Sequence, residues 1–340
     1  MRTAAAVLLV LVMLCAAAAI GGLALSARVH EPYKAFEAAG RFVDLPPGTT
    51  TAAIGRRLVD AGVVRDMVTF RAALWWTGRS QSLQAGEYLF DRAASAVDVI
   101  ERLARGDVYT RRITFPEGLT LREMSRIYES RGFGPAGEFL AAAREGSLVR
   151  DLDADARDLE GYLFPETYAL ARDTPARRLI AMMVDRFRAT YIDQLHGRAD
   201  AGGLTARQVV TLASLVERET ARPDERPLVA AVYRNRLKIG MPLQADPTVV
   251  YALQQAGRYD GNIRRQDLSL DSPYNTYRYP GLPPGPIAAP GKLSLEAALM
   301  PASVAYLYFV SRNDGSHVFA RTFAEHTRNV RRFQVLFFRR

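Results

Sequence analysis

The sequence is almost without cysteine. Its one thiol, Cys15, lies inside an apolar N-terminal run, so the rest of the chain carries none and can form no disulfide. Histidine is scarce as well: His30, His196, His317 and His326 show neither H-E-x-x-H nor any other metal-ligand spacing, and neither a metal nor another cofactor is expected. Charge is missing from Thr3 to Ala27, and about 20 apolar residues suffice to cross a bilayer as a helix. A cleaved signal peptide has a shorter apolar region of about 7–15 residues, so residues 1–28 read as a transmembrane signal-anchor, with cleavage after Leu25-Ser26-Ala27 as the alternative. Leu14 is not the small residue that a lipoprotein site needs before its cysteine, which argues against lipidation. The flanking charges, Arg2 before the span and Arg28 and Lys34 after it, are too balanced to fix orientation. No recognised nucleic-acid motif accompanies the dispersed basic residues, so the net charge of +9 points to an anionic partner other than nucleic acid.

What is present is a body of two domains' length. The 340 residues are 49% hydrophobic, enough for an anchor and about two globular cores. After a linker at 29–40, one pattern occurs twice. Pro46-Pro47-Gly48-Thr49-Thr50 is followed by Ile54, Leu58 and Gly62; Pro116-Glu117-Gly118-Leu119-Thr120 is followed by Met124, Tyr128 and Gly132 at the same spacing. Each copy reads as a turn, a threonine N-cap, a helical apolar stripe and a glycine stop. Leu83 to Phe90 and Val108 to Phe115 alternate like strands around an amphipathic helix at Ala96 to Leu103, giving a small α+β unit. Helical periods return at Ala136 to Ala143 and Thr174 to Gln194. Between them Leu159 to Tyr168, broken by Gly161 and Pro165, reads as a site-lining loop.

From Leu204 onward the sequence is richest in chemistry. Thr205-Ala206-Arg207-Gln208 fits a capping box, opening a helix to about Ala221 with Val209, Leu212, Leu215 and Val216 on one side. At about 100° per residue Glu219 falls at the end of that stripe, where partial loss of water raises a carboxyl pKa towards what a general acid needs. Glu217 points nearly the opposite way, suited to orienting a loop or bonding a buried backbone group. The plain alternative for Glu219 is a helix-end pair with Arg222 or Arg226. Downstream, Tyr233 to Leu237, Gly240 to Tyr251 and Tyr274-Asn275-Thr276-Tyr277 mix amide, carboxylate, hydroxyl and aromatic groups, as sugar sites do. The turn-rich Gly281 to Phe319 contains a strand at Ala305 to Ser311, and a helix runs from about Phe323 to Phe338.

Taken in order, Leu215-Val216-Glu217-Arg218-Glu219-Thr220, the block ending Leu243-Gln244-Ala245-Asp246-Pro247-Thr248-Val249-Val250-Tyr251, Tyr274-Asn275-Thr276-Tyr277, Gly281-Leu282-Pro283-Pro284-Gly285-Pro286-Ile287, Tyr308-Phe309-Val310 and Leu159 to Tyr168 resemble the endolytic murein transglycosylases, the MltG or YceG-like family. The likeness runs from about residue 40 to the end. It implies an α+β protein with an N-terminal transmembrane helix, a LysM-like domain at 41–112 (to 135 if the second half-repeat is included), and a mixed α/β YceG-like catalytic domain at 113–340. It further implies Glu219, on its helix, as the catalytic acid. Glu217, Gln244, Asp246, Thr248, Tyr251, Asn275 and Tyr277 become substrate-contact candidates. The implied activity is lytic cleavage of nascent peptidoglycan strands to a 1,6-anhydro end at the outer face of a bacterial inner membrane, beside peptidoglycan synthases. Two rivals stay open: a hydrolase using Asp246, Glu160 or Glu166 as second carboxylate, and a non-catalytic peptidoglycan-binding scaffold.

Overall fold

The structure is a computed structural model that describes residues 2–37, 39–195 and 203–337. It divides into two compact units, the first made of Met1–Arg111 with Ala169–Asp173, the second of Arg112–Tyr168 with Thr174–Arg340.

In the first unit, α1 (Arg2–His30) is a single helix whose segment Leu9–His30 is long and apolar enough to cross a membrane, its most apolar stretch being unburied. Only its last turn joins the core. Val29 is 1% exposed among Leu45, Leu58, Phe70, Tyr88 and Ile100, while Arg28 donates to Thr69 Oγ1 at 3.0 Å and pairs with Asp66. Strands β1 (Arg41–Leu45) and β2 (Gly86–Phe90) are antiparallel, Val43 opposite Tyr88, and period-2 alternation turns Val43, Leu45, Tyr88 and Phe90 inward. Helices α2 (Thr51–Asp60), α3 (Met67–Thr77) and α4 (Ala96–Arg105) complete the layer. The expected strand at 83–90 is shorter at its start, because Gln84 N donates to Leu103 O at 3.0 Å, at the end of α4, instead of to a strand. The expected strand at 108–115 likewise shrinks to β3 (Arg111–Thr114).

Both copies of the repeated pattern build the same local structure. Thr50 caps α2 and Thr120 caps α5 (Leu121–Ser130), two ten-residue helices followed by glycines in the left-handed region, Gly62 at φ +71° and Gly132 at φ +68°. The second copy belongs to the second unit.

The second unit continues with α6 (Ala136–Ala143), the first half of β4 (Thr167–Leu170), α7 (Ala176–Arg188), α8 (Ala206–Glu219), α9 (Arg226–Lys238), α10 (Asp246–Gln255), α11 (Lys292–Leu299), β5 (Tyr308–Ser311), β6 (His317–Ala320) and α12 (Phe323–Val330). A wider-wound turn, Ala189–Leu195, extends α7. The expected final helix ends sooner than read, and Phe338 lies outside the described residues.

The organising element is α8. Its period suggests one apolar side, yet every residue from Val209 to Val216 is buried. Two polar residues tolerate this because their hydroxyls are satisfied: Thr211 Oγ1 donates to Arg207 O at 2.7 Å, and Ser214 Oγ donates to Thr211 O at 2.7 Å while accepting Ile287 N–H at 3.1 Å. Helices α9 and α11 pack against α8. Neither α11 nor β6 was legible in the turn-rich segment 281–319, since each is short and flanked by proline or glycine.

Candidate active site

Helix α8 stops at Glu219, two residues before the expected end. Thr220 adopts an extended backbone, and its Oγ1 accepts Arg222 N–H at 3.1 Å, closing a turn ahead of Pro223. Glu219 is thus the last helical residue, where the negative end of the helix dipole disfavours a carboxylate. The turn brings α9 back beside α8, and Tyr233 O–H donates to Glu219 Oε1 at 2.6 Å.

Glu219 lies in a cavity of about 340 Å³ lined also by Tyr233 and Arg236 of α9, Leu243, Gln244, Asp246, Tyr277, Phe309 to Ser311 of β5, His317 of β6 and His326 of α12. Burial pushes the Glu219 carboxyl up to about 7, helped by the charge of Asp246; the Tyr233 hydrogen bond and the charges of His317 and Arg236 oppose the rise without cancelling it. Burial, reinforced by Glu219, pushes the Tyr233 phenol well above its ordinary value, so it stays a donor at any working pH. Burial lowers Arg236, whose guanidinium is spent on carbonyls: Nε donates to Leu307 O at 2.7 Å and Nη1 to Leu243 O at 2.7 Å. With Asn235, which donates to Val304 O and Tyr306 O at 2.8 and 2.9 Å, it sews α9 to the segment leading into β5.

Two histidines line the same cavity. Glu225 is buried and accepts both His317 N–H at 2.9 Å and His317 Nδ1 at 2.7 Å, so Nδ1 carries the proton and Nε2 is the nitrogen left for the cavity. Thr220 Oγ1 donates to the same carboxylate at 3.3 Å, which ties the residue after Glu219 to the histidine opposite. His326 stacks on Tyr308 with ring centroids 5.0 Å apart, and its Nδ1 is buried without a hydrogen-bond partner.

Four of the sequence-derived candidates meet here: Glu219, Gln244, Asp246 and Tyr277, with Tyr277 O–H donating to Asp246 Oδ1 at 2.6 Å. Gln244 holds φ +48°, a left-handed backbone uncommon outside glycine, and such strain concentrates at functional sites. The other four lie elsewhere. Thr248 and Asn275 are fully buried: Thr248 Oγ1 bonds Ala245 O and Thr276 Oγ1, and Asn275 Nδ2 donates to Leu268 O and Leu270 O. Thr248, with Thr276, fixes the turn that presents Gln244 and Asp246, Asn275 holds the loop that carries Tyr277, and a residue with no exposed surface cannot touch a glycan. Tyr251, near the other end of α10, bonds Glu160 Oε2 at 3.4 Å in a different cavity. Glu217 faces away from the site, with Oε1 2.9 Å from Arg226 and Oε2 accepting Gly291 N–H at 2.9 Å.

The rival second carboxylates separate in the same way. Glu166 pairs with Arg186 at 2.6 Å. Glu160 caps α5 by accepting Leu121 N–H at 3.0 Å, and burial pushes it up to about 8. Its loop, 159–168, therefore borders other cavities and not that of Glu219. Glu219 itself pairs with neither Arg222, which bonds Asp224, nor Arg226. Tyr233 and Arg236 lie in the segment read as sugar-site chemistry and Phe309 in a family motif, though none was named a site residue; His317 and His326 carried no signal at all. No local signal joins them, because the contacts cross from α8 to α9 and from α8 to a strand nearly a hundred positions later.

Among known proteins, the YceG-like family model matches residues 43–332. A protein of Bacillus subtilis (strain 168) named endolytic murein transglycosylase is 32% identical over 302 residues, covering 84% of this chain and 82% of that protein. One of the same name from Streptococcus pneumoniae serotype 2 (strain D39 / NCTC 7466) is 30% identical over 323 residues, covering 85% of this chain but 57% of that longer protein. A crystal structure of a yceG-like protein from Listeria monocytogenes superposes with a TM-score of 0.57 at 29% identity, over 85% of this chain and 99% of that one.

Proposed function

Because the chain belongs to the YceG-like family, we propose that it is an endolytic murein transglycosylase in which Glu219 is the proton-transfer group. The observation that carries this reading is the Glu219 carboxyl itself: at the cavity wall, held by Tyr233 at 2.6 Å, and raised by burial to about 7. Such a group is half protonated near neutrality, which suits it to give a proton and then take one.

The reaction needs one carboxyl group. Protonated Glu219 donates to the bridging oxygen of the MurNAc–GlcNAc bond; the bond breaks and positive charge develops at C1 of the muramic acid. The resulting carboxylate accepts the proton of that sugar's own C6 hydroxyl as its oxygen attacks C1, closing a 1,6-anhydro ring. The nucleophile is tethered, so ring closure has the advantage of intramolecular geometry and consumes no water. Tyr233 occupies Oε1 and leaves Oε2 for the sugar. Asp246, oriented by Tyr277, and His317, oriented by Glu225, supply hydrogen-bonding groups at the cavity wall. The family supports the rest of the reading: α1 anchors the enzyme in the inner membrane with the body outside, residues 41–112 form a LysM-like domain, and 113–340 form the catalytic domain. Cleavage of nascent strands there, beside the synthases, ends elongation.

A hydrolytic reading has one observation in its favour, since Asp246 shares the cavity and could activate water. Mass spectrometry of the products separates the two. The expected new ends are 1,6-anhydro-muramic acid, lighter by one water than reducing ends; a product set made of reducing ends would sink the single-carboxylate mechanism.

The pH profile supplies a second expectation. With Glu219 required in its acid form and titrating at about 7, kcat/KM declines above that pH, by roughly tenfold per unit. Tyr233→Phe removes a hydrogen bond that favours the charged carboxylate, so the alkaline limb moves upward in pH. An unchanged or lowered limb in the variant would contradict the assigned role.

A further inference from the structure

Both tryptophans of the protein are adjacent and exposed. Trp75 and Trp76, the only two in the sequence, lie at the end of α3 with 82% and 52% of their surface open, beside Val68 at 65%. At about 100° per residue, Val68, Arg71 and Trp75 fall on one side of α3, with Trp76 next to them, opposite the buried Phe70, Ala73 and Leu74. Arg71 on this side makes no ion pair among the described residues. Leaving two indoles in water forgoes the large apolar stabilisation that burying aromatic surface provides, so such a patch marks an interaction surface.

Its position says what covers it. The Trp76 ring meets that of His30, the last residue of α1, edge-on at 5.2 Å between centroids. The adjoining Arg28 is fixed to Asp66 and Thr69 at the start of α3, and Val29 is sealed in the core of the same unit. The end of the apolar helix is therefore locked to α3, and one of the adjacent indoles meets its last residue, two positions after the first charged residue that follows the uncharged run. That level is where a spanning helix leaves the hydrocarbon, and where tryptophan and arginine are favoured, because an indole is apolar with one polar edge and a guanidinium meets phosphate. Sugar recognition would instead place amide or carboxylate groups beside the rings, and Val68, Arg71, Trp75 and Trp76 offer none.

We propose that this face of α3 lies in the lipid headgroup interface, so that the first unit rests on the bilayer instead of swinging from a flexible tether. The proposal depends on α1 being a membrane span, and the test separates the two. The full chain is reconstituted in phospholipid vesicles, where Trp75 and Trp76 are the whole indole signal, and flotation of the same vesicles is scored in parallel. Expected are blue-shifted emission, several-fold weaker quenching by acrylamide than for indole in water, and stronger quenching by lipids brominated near the headgroup than by lipids brominated near the chain end. Trp75→Phe and Trp76→Phe, each leaving one reporter, should both keep the effect. A chain that floats while its indoles emit as in water and ignore brominated lipid overturns the proposal and leaves the anchor standing. One that does not float removes both. Emission that responds to soluble glycan fragments and not to lipid bromine also overturns it, in favour of a sugar-binding face.

Discussion

Glu219→Gln should abolish strand cleavage while leaving the protein folded. General acid–base catalysis contributes about 10²–10⁴-fold, and here one group serves both half-reactions, so a loss at or beyond the upper end is expected. Folding should survive because glutamine keeps the size and one carbonyl oxygen, which can still accept from Tyr233, now at 2.6 Å from Glu219 Oε1. Burial raises Glu219 to about 7, so the native state at neutral pH already holds about half of it uncharged, and a neutral isostere costs little. The stability argument has a sign. A carboxyl raised from its unfolded value near 4.5 to about 7 loses stability for the fold as pH climbs through that interval. The glutamine variant lacks this loss, so its melting temperature should match or exceed the parent's at pH 8. Muropeptide mass spectrometry checks the first half and thermal unfolding the second. Anhydro ends produced at an undiminished rate by a folded variant would remove Glu219 from the chemistry.

How much of this was legible in the sequence depended on whether the signal was local. Capping chemistry and helical period located α4, α6 and the start of α8, since an N-cap threonine or serine and a helical apolar stripe are properties of a few consecutive residues. The same wheel placed Glu219 and Glu217 on different sides of α8, and the chain puts one in a cavity and the other on Arg226 and Gly291. Strands of four or five residues gave weaker alternation, and α11 was hidden among prolines and glycines. Site membership failed for a different reason. Thr248 and Asn275 stand in motifs rich in sugar-binding chemistry, but Thr248 carries hydrogen bonds that shape the backbone under Gln244 and Asp246, and Asn275 carries those that shape the loop of Tyr277. Residue type alone does not separate a group that touches a ligand from one that holds the group that touches it. His317 was invisible because its role exists only through Glu225, a partner 92 positions away.

Arg226→Met should be the most damaging single change to stability outside the hydrophobic core. The Arg226 and Glu217 side chains are 7% and 6% exposed and 2.9 Å apart, and removing one member of a buried pair leaves the other's charge uncompensated, at about 3–5 kcal/mol. Glu217 cannot turn outward to escape, because its second oxygen accepts Gly291 N–H at the start of α11, the helix packed on α8. Glu117, the other carboxylate near Arg226 at 3.3 Å, is 44% exposed and can hydrate, so the loss falls mainly on Glu217. Burial already holds Glu217 above the usual carboxylate value, with the Gly291 N–H and the Arg226 charge resisting; deleting the arginine lets it rise further. A raised folded pKa makes stability fall as pH rises past the unfolded value, so the damage should be larger at pH 8 than at pH 5. Adding Glu217→Leu to Arg226→Met removes the orphaned charge and should restore a substantial part of the loss, giving a coupling energy well above that of a surface pair. Denaturant unfolding of the two single variants and the double variant at both pH values measures this. Independent, additive effects of the two substitutions would mean that the pair does not act as a unit.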